Sequence, residues 1–160
     1  MKNHVEDDIE RDAVRYETYK LIIKFLLGED CTNSLNTNSD YDLMTNNGTT
    51  IEVKVDDKCL KTGNIAIEVK GNCGQASGLS VTKADWWMHL ARISDDGYTI
   101  FLIPTSNLRR MVPRYPTVTG REGSTVALIP IEDVERYGRG SVMMDGGRVG
   151  GLMVDVDLDW

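Results

Sequence analysis

Between Asp40 and Asp56 the chain alternates apolar and polar residues in two short runs. Asp40-Tyr41-Asp42-Leu43-Met44-Thr45 is followed by Asn46-Asn47-Gly48, and then by Thr49-Thr50-Ile51-Glu52-Val53-Lys54-Val55-Asp56. Alternation of this kind is the mark of a half-buried strand, and an Asn-Gly pair between two such runs predicts a hairpin. A three-residue loop with Gly48 left-handed pairs Thr45 with Thr49, Leu43 with Ile51 and Asp42 with Glu52. Tyr41, Leu43, Ile51, Val53 and Val55 then face an apolar core, and Asp42, Glu52 and Lys54 share the other face. A two-residue loop would send Leu43 out among the charges, so the hydrophobic pattern itself selects the longer one.

Helical spacing governs the stretch from about Val5 to Leu27. Val5, Ile9, Ala13, Tyr16, Lys20, Ile23 and Leu27 recur along it, Asp7 and Asp8 lie in its first turn, and Gly28 is a stop signal. Glu29 to Ser39 is polar and reads as a loop. Ile65 to Val69 predicts a third strand, with Glu68 and Lys70 on one face and the aliphatic residues on the other. Gly71 to Gly78 is a glycine-rich connection, expected to be mobile and lacking the Walker spacing. Ser80 to Arg92 predicts a second helix that packs Trp86, Trp87, Leu90 and Ile93 on the sheet. Tyr98 to Ile103 predicts a central strand, Thr105 to Met111 a short helix or turn, Val126 to Ile129 a strand, and Ile131 to Tyr137 a helical turn. In the tail, Val154, Val156 and Leu158 alternate with Asp155, Asp157 and Asp159, as in an edge strand or one that pairs with a partner chain. The expected fold class is α/β: a helix, a three-stranded meander, a helix and further strands of a mixed sheet. One domain is expected over 1–160, with a core at about 5–114 and an extension over 115–160 that serves oligomerisation.

Composition narrows the classes. The 160 residues suffice for one cored domain, and 41% hydrophobic with 27% charged residues is ordinary for a globular protein. No apolar run approaches the roughly 18 residues of a membrane span. The acidic start, Met1 to Asp8, does not read as a signal peptide, and the expected location is cytoplasmic. Cys31, Cys59 and Cys73 have no metal-site spacing and read as free thiols of a reducing compartment. His4 and His89 are too few and too far apart for a histidine-based site. A net charge of −7 argues against a general nucleic-acid binder, so any DNA contact must come from local basic patches and bound metal. Arg109, Arg110, Arg114 and Arg121 lie in a stretch with no acidic residue among them, and Lys83 is predicted to lie on the first turn of the second helix. These are the candidate phosphate contacts.

The chemistry sits on the hairpin. Two carboxylates about 5 Å apart repel unless a cation lies between them. A hard divalent cation, Mg²⁺ above all, takes one or two carboxylates together with substrate phosphates. Lys54, on the same face, can orient or activate a water or stabilise phosphate charge. That is the equipment of a phosphodiester hydrolase. The plainer alternative is a solvated hairpin face on which Lys54 is an ion-pair partner.

Asp42, nine intervening residues and then Glu52-Val53-Lys54 resemble the motif of the PD-(D/E)XK nuclease superfamily, with Tyr41 where the name has proline. Lys61 to Glu68, Ser77-Gly78-Leu79 and Thr82 to Trp87 are similar to small phage-type members, of the Holliday-junction-resolvase-like or homing type. The resemblance covers roughly Val5 to Arg114. It implies a restriction-endonuclease-like core and an endonuclease that hydrolyses DNA with Mg²⁺, or with Mn²⁺ in its place. Asp42 and Glu52 would be metal ligands, with the Val53 carbonyl as a third, and Lys54 would act in the chemistry. A first-helix glutamate that reaches the metal is also implied, with Glu17 chosen over Glu10, and a homodimer or larger homo-oligomer. Glu68 is a further candidate for the active-site face. A nuclease-fold module that binds nucleic acid or protein without cutting is the alternative.

Overall fold

The computed structural model describes residues 4–31, 40–95, 97–120, 123–136, 140–145 and 148–150; for 4–15, 140–145 and 148–150 the description is of the backbone alone. The 32–39 part of the predicted loop, Arg121, Tyr137 and the 151–160 tail with its three aspartates lie outside the described residues, as do the side chains of His4 and Glu10.

Helix α1 spans His4–Leu27. Gly28 follows at φ +71° and donates its N–H to Lys24 O at 2.9 Å, the left-handed stop that glycine allows. Strands β1 (Leu43–Met44) and β2 (Thr50–Asp56) form the predicted hairpin at its turn, but the ladder stops at Leu43–Ile51, and Val55, expected in the core, is exposed. Leu43 pairs with Ile51, Thr45 donates its N–H to Thr49 O at 2.8 Å, and Gly48 has φ +87°. The register follows from the core: Leu43 and Ile51 are fully buried together, each worth roughly 1.5–3 kcal/mol. A slip by one residue would expose both.

After helix α2 (Cys59–Thr62) the structure departs from a meander. Strand β3 (Asn64–Lys70) does not join β2 but pairs with β7 (Thr125–Pro130), which also pairs with β6 (Thr117–Thr119) in a separate antiparallel sheet. The Gly71–Gly78 connection is stitched rather than loose: Gly71 N–H donates to Gln75 O at 2.9 Å, Gly74 N–H to Gly71 O at 2.9 Å, and the Ser77 hydroxyl to Glu68 Oε1 at 2.5 Å.

The predicted second helix is corrected. Only a 3₁₀ turn, Gly78–Ser80, occupies its start, and Trp86–Arg92 is strand β4. β4 runs parallel to β2, with Glu52 opposite Trp87 and Lys54 opposite His89, and antiparallel to β5 (Gly97–Pro104). Strands β8 (Gly140–Asp145) and β9 (Arg148–Gly150) complete a mixed sheet ordered β1-β2-β4-β5-β8-β9. Helices α3 (Thr105–Met111) and α4 (Ile131–Val134) lie at the ends of β5 and β7, close to the predicted segments.

The large sheet has a core on each face. Leu43, Ile51, Met88, Leu90, Ile100 and Leu102 pack against Tyr16, Ile22, Ile23 and Leu26 of α1. Trp87, Ala91, Phe101 and Ile103 pack against Ile65 and Ile67 of β3, Ala127 and Ile129 of β7, and Leu108 and Met111 of α3. The chain is therefore α/β, with helix, mixed sheet and small antiparallel sheet in layers. The expected division near residue 114 has no counterpart: β7 is central to the small sheet, and β8 pairs with β5. Among the described residues no helix is long and apolar enough to cross a membrane.

Candidate active site

β1 is only two residues long, so beyond Ile51 the edge of β2 has no ladder partner on that side. Asp42 takes the place of one. Its N–H donates to Ile51 O at 3.0 Å, and its Oδ2 accepts the Val53 N–H at 2.7 Å. In a strand, the N–H and C=O of one residue point to the same edge, so the Val53 carbonyl faces the Asp42 side as well.

Glu52 and Lys54 project from β2 on the face that carries Trp87 and Ala91. Glu52 is 8% exposed, which for a carboxylate demands partners. It has two: Lys54 Nζ lies 2.6 Å from Oε1, and the Thr82 hydroxyl lies 3.1 Å from Oε2. Lys54 Nζ also sits 5.7 Å from the centre of the Trp87 ring. The Lys54 ammonium thus partners one of the two carboxylates and a backbone N–H the other.

Thr82 is 2% exposed and joins several segments. Its Oγ1 lies 3.2 Å from Asp40 O and accepts the Ala84 N–H at 3.3 Å. Next to it, Lys83 donates its N–H to Asp40 O at 2.9 Å, and its ammonium is 3.0 Å from Asp40 Oδ2. Arg109, expected at a phosphate, instead hydrogen-bonds the carbonyls of Leu79 and Thr82. Arg110 donates to Asn107 Oδ1 at 2.5 Å, and Arg114 is exposed at the end of the 3₁₀ turn Val112–Arg114.

A cleft of about 330 Å³ opens between β2 and β3, lined by Lys54, Asp56, Lys58, Glu68, Trp87 and His89 among others. Glu68 therefore shares a cleft with Lys54, although it stands on the other sheet. Glu17 is not brought to this side. It is exposed on α1, 2.9 Å from Lys20 Nζ, and lines a different pocket with Lys24, Asp30 and Asn46.

Two residues that the sequence did not single out are prominent. Asp56 Oδ1 accepts the N–H groups of Lys58 and Cys59 at 3.0 and 3.2 Å, and Oδ2 accepts that of Ala66 at 2.9 Å. His89, 1% exposed, places Nε2 3.4 Å from Asp56 Oδ2, and its Nδ1 accepts the Trp87 indole N–H at 3.2 Å. An indole only donates, so the imidazole proton is on Nε2 and points at Asp56. Burial pushes the Asp56 carboxyl up, but the His89 hydrogen bond and the Ala66 and Lys58 N–H groups outweigh it and hold the carboxyl below its ordinary value. Burial, with the Asp56 charge second, raises the nearby Cys59 thiol to about 11. The one signal in the sequence was that Asp56 continues the polar face of β2.

The donors at the hairpin edge, two carboxylates and a strand carbonyl, are hard oxygens that suit Mg²⁺, and the Lys54 ammonium already occupies a cation's position against Glu52. Among the described residues no three His, Cys, Asp or Glu side chains form a metal-binding group. No protein-family model, no curated protein and no solved structure matches the chain.

Proposed function

We propose that this protein is a metal-dependent endonuclease that hydrolyses DNA phosphodiester bonds, built on a core of the restriction-endonuclease type. The observation that carries the reading is the grouping at the open edge of β2: Asp42 on the Val53 N–H, and Glu52 paired with Lys54 at 2.6 Å. Asp42, Glu52 and the Val53 carbonyl would hold the metal, which would supply charge neutralisation at the scissile phosphate and a water of lowered pKa.

Lys54 does the remaining work. Once Glu52 is engaged elsewhere, its ammonium is released toward the cleft, where it orients the attacking water and stabilises the phosphate charge that builds up in the transition state. Water adds to phosphorus, one P–O ester bond breaks, and the products are a phosphate terminus and a hydroxyl terminus. Arg110, Arg114 and Lys83 contact flanking phosphates, and the protein acts as a homodimer in the cytoplasm.

Incubation with plasmid and with branched DNA in Mg²⁺ tests this reading. Wild type should cleave, and Lys54→Ala should lose cleavage by about 10²-fold or more while still binding DNA when Ca²⁺ replaces Mg²⁺. Near-wild-type cleavage by Lys54→Ala would remove the mechanism. The absence of a converging group of three ligands among the described residues favours a second reading, a nuclease-fold module that binds DNA or protein without cutting. DNA binding with no cleavage by wild type in Mg²⁺ or Mn²⁺ selects it.

A further inference from the structure

The segment Leu79–Ala84 carries none of the proposed ligands, yet it touches the chain just before Asp42 and the Glu52 side chain itself. Asp40 O, two residues before Asp42, receives the Lys83 N–H at 2.9 Å. The adjacent Thr82 hydroxyl reaches Glu52 Oε2 at 3.1 Å. A hydroxyl has one proton to give. Its two acceptors here are the Glu52 carboxylate and the Asp40 carbonyl at 3.2 Å. The ionised oxygen is the stronger acceptor, and Asp40 O already has the Lys83 N–H, so the proton goes to Glu52. The lone pairs on Oγ1 take the Ala84 N–H at 3.3 Å, which fixes the rotor.

The segment is itself fixed from outside. Arg109 on α3 hydrogen-bonds Leu79 O through Nε at 3.4 Å and Thr82 O through a terminal nitrogen. A guanidinium presents its donors in a rigid fork, so one side chain sets the place of both carbonyls. The segment is also anchored by the buried Leu79, by the Ser80 hydroxyl on Val69 O at 2.7 Å and by Lys83 on Asp40, and the Arg109 fork sets the two carbonyls.

We propose that Thr82 and Arg109 are positioning residues for the site: Arg109 holds the Leu79–Thr82 segment, and the Thr82 hydroxyl sets the orientation of the Glu52 carboxylate relative to Asp42. This rests on the nuclease reading for its consequence in catalysis, but not for its geometry. Arg109 therefore acts on the site through the protein rather than on a phosphate.

The test uses the full chain as wild type, Thr82→Val, Thr82→Ser, Arg109→Met and Arg109→Lys. The first readout needs no metal: the carboxyl-carbon NMR resonance of Glu52, assigned by its loss in Glu52→Gln. It should shift in Thr82→Val and, in the same sense, in Arg109→Met, and return in Thr82→Ser. The second is Mn²⁺ affinity by calorimetry without DNA, and the third is the kcat and KM of plasmid cleavage. Thr82→Val should lose about 10-fold or more in Mn²⁺ affinity and in kcat, with KM for DNA unchanged, as expected when a ligand's supporting hydrogen bond is removed. Thr82→Ser should recover most of this, and Arg109→Lys should fall between wild type and Arg109→Met. A Glu52 resonance unmoved in both Thr82→Val and Arg109→Met overturns the proposal, as does equal loss in Thr82→Ser and Thr82→Val. Should Thr82→Val fail to fold, the graded Arg109 pair decides by the same readouts. A wild type that neither binds Mn²⁺ nor cuts DNA ends the nuclease reading, and the resonance alone then decides the positioning.

Discussion

Asp56 shows how much one buried carboxylate can organise. Its two oxygens serve the first turn of α2, the β3 backbone at Ala66 and the His89 ring, so it joins elements from both sheets. Asp56→Asn keeps an acceptor for Lys58 and Cys59, but sets an amide N–H₂ against the Ala66 N–H and the His89 Nε2–H. Donor against donor in a buried place should cost about 2–4 kcal/mol, read by urea unfolding. The pH dependence has a definite sign. The folded carboxyl titrates below its ordinary value of about 3.9, so the unfolded chain binds the proton first as pH falls. The stability that Asp56 confers is fully present above that value and is lost as pH drops through the lowered folded value. Thermal melts of wild type should therefore fall off below about pH 4, and Asp56→Asn, already destabilised, should show a shallower decline there. Parallel melting curves for the two proteins over that window would show that the Asp56 carboxylate is not the group responsible.

At the scale of elements, the local code was clear where a turn enforced it. Asn46, Asn47 and Gly48 fix a loop length, and the burial of Leu43 and Ile51 allows one register. Gly48 and Gly78 make a useful contrast here, since both have positive φ. A Cβ on Gly48 meets nothing within 4 Å, so Gly48→Ala should cost only the roughly 1 kcal/mol of the left-handed backbone. A Cβ on Gly78 meets the backbone carbonyl of Glu68, which cannot yield as a side chain would. Gly78→Ala should cost about 2–3 kcal/mol or more by chemical denaturation, and it should disturb the turn that leads to Thr82. Equal costs for the two substitutions would show that the Gly78–Glu68 approach is not tight.

The sequence misled where the pattern carried no partner. Trp86-Trp87-Met88-His89-Leu90-Ala91 lies in a strand with a core on each face, so it reads as a continuous apolar run without alternation. Thr82 and Ser80 before it look like helix caps, and Trp86, Leu90 and Ile93 fall at helical spacing. β3 reads as a strand, but Ile65 and Ile67 alternate in the same way in either sheet, so nothing local says that it leaves β2 for β7. The Glu52–Lys54 pair was legible because the two residues alternate on one strand face; the expected pairing of Asp42 with Glu52 is absent from the ladder, and Asp42 lies instead at the edge, on the Val53 N–H. The Thr82 hydroxyl and the Arg109 fork were not legible, because each acts across about 30 residues of chain. His89 has no second histidine to mark it in the sequence; its partners are a carboxylate and an indole.

On the scale of the whole molecule, a net charge of −7 sets the hardest condition on the proposed function. Long-range attraction to DNA is absent, so binding depends on a few local cations and on the metal. The structure reduces the basic set. Arg109, Arg110 and Arg114 are all exposed, but Arg109 hydrogen-bonds two backbone carbonyls of another segment, whereas Arg110 hydrogen-bonds Asn107 on its own helix. Removing the other two, as Arg110→Ala with Arg114→Ala, should lower the magnitude of the log-affinity against log-salt slope by about 1.8, at about 0.9 per phosphate contact, measured in Ca²⁺. The loss should be the same on unrelated DNA sequences, because phosphate contacts position the protein without reading bases. Arg109→Ala should leave that slope unchanged and lower kcat, which separates a side chain that meets DNA from one that shapes the site. An unchanged slope in the double variant would move the DNA surface to Lys83 or Lys61, and a slope that falls in Arg109→Ala would mean that the guanidinium leaves its carbonyls for a phosphate when DNA binds.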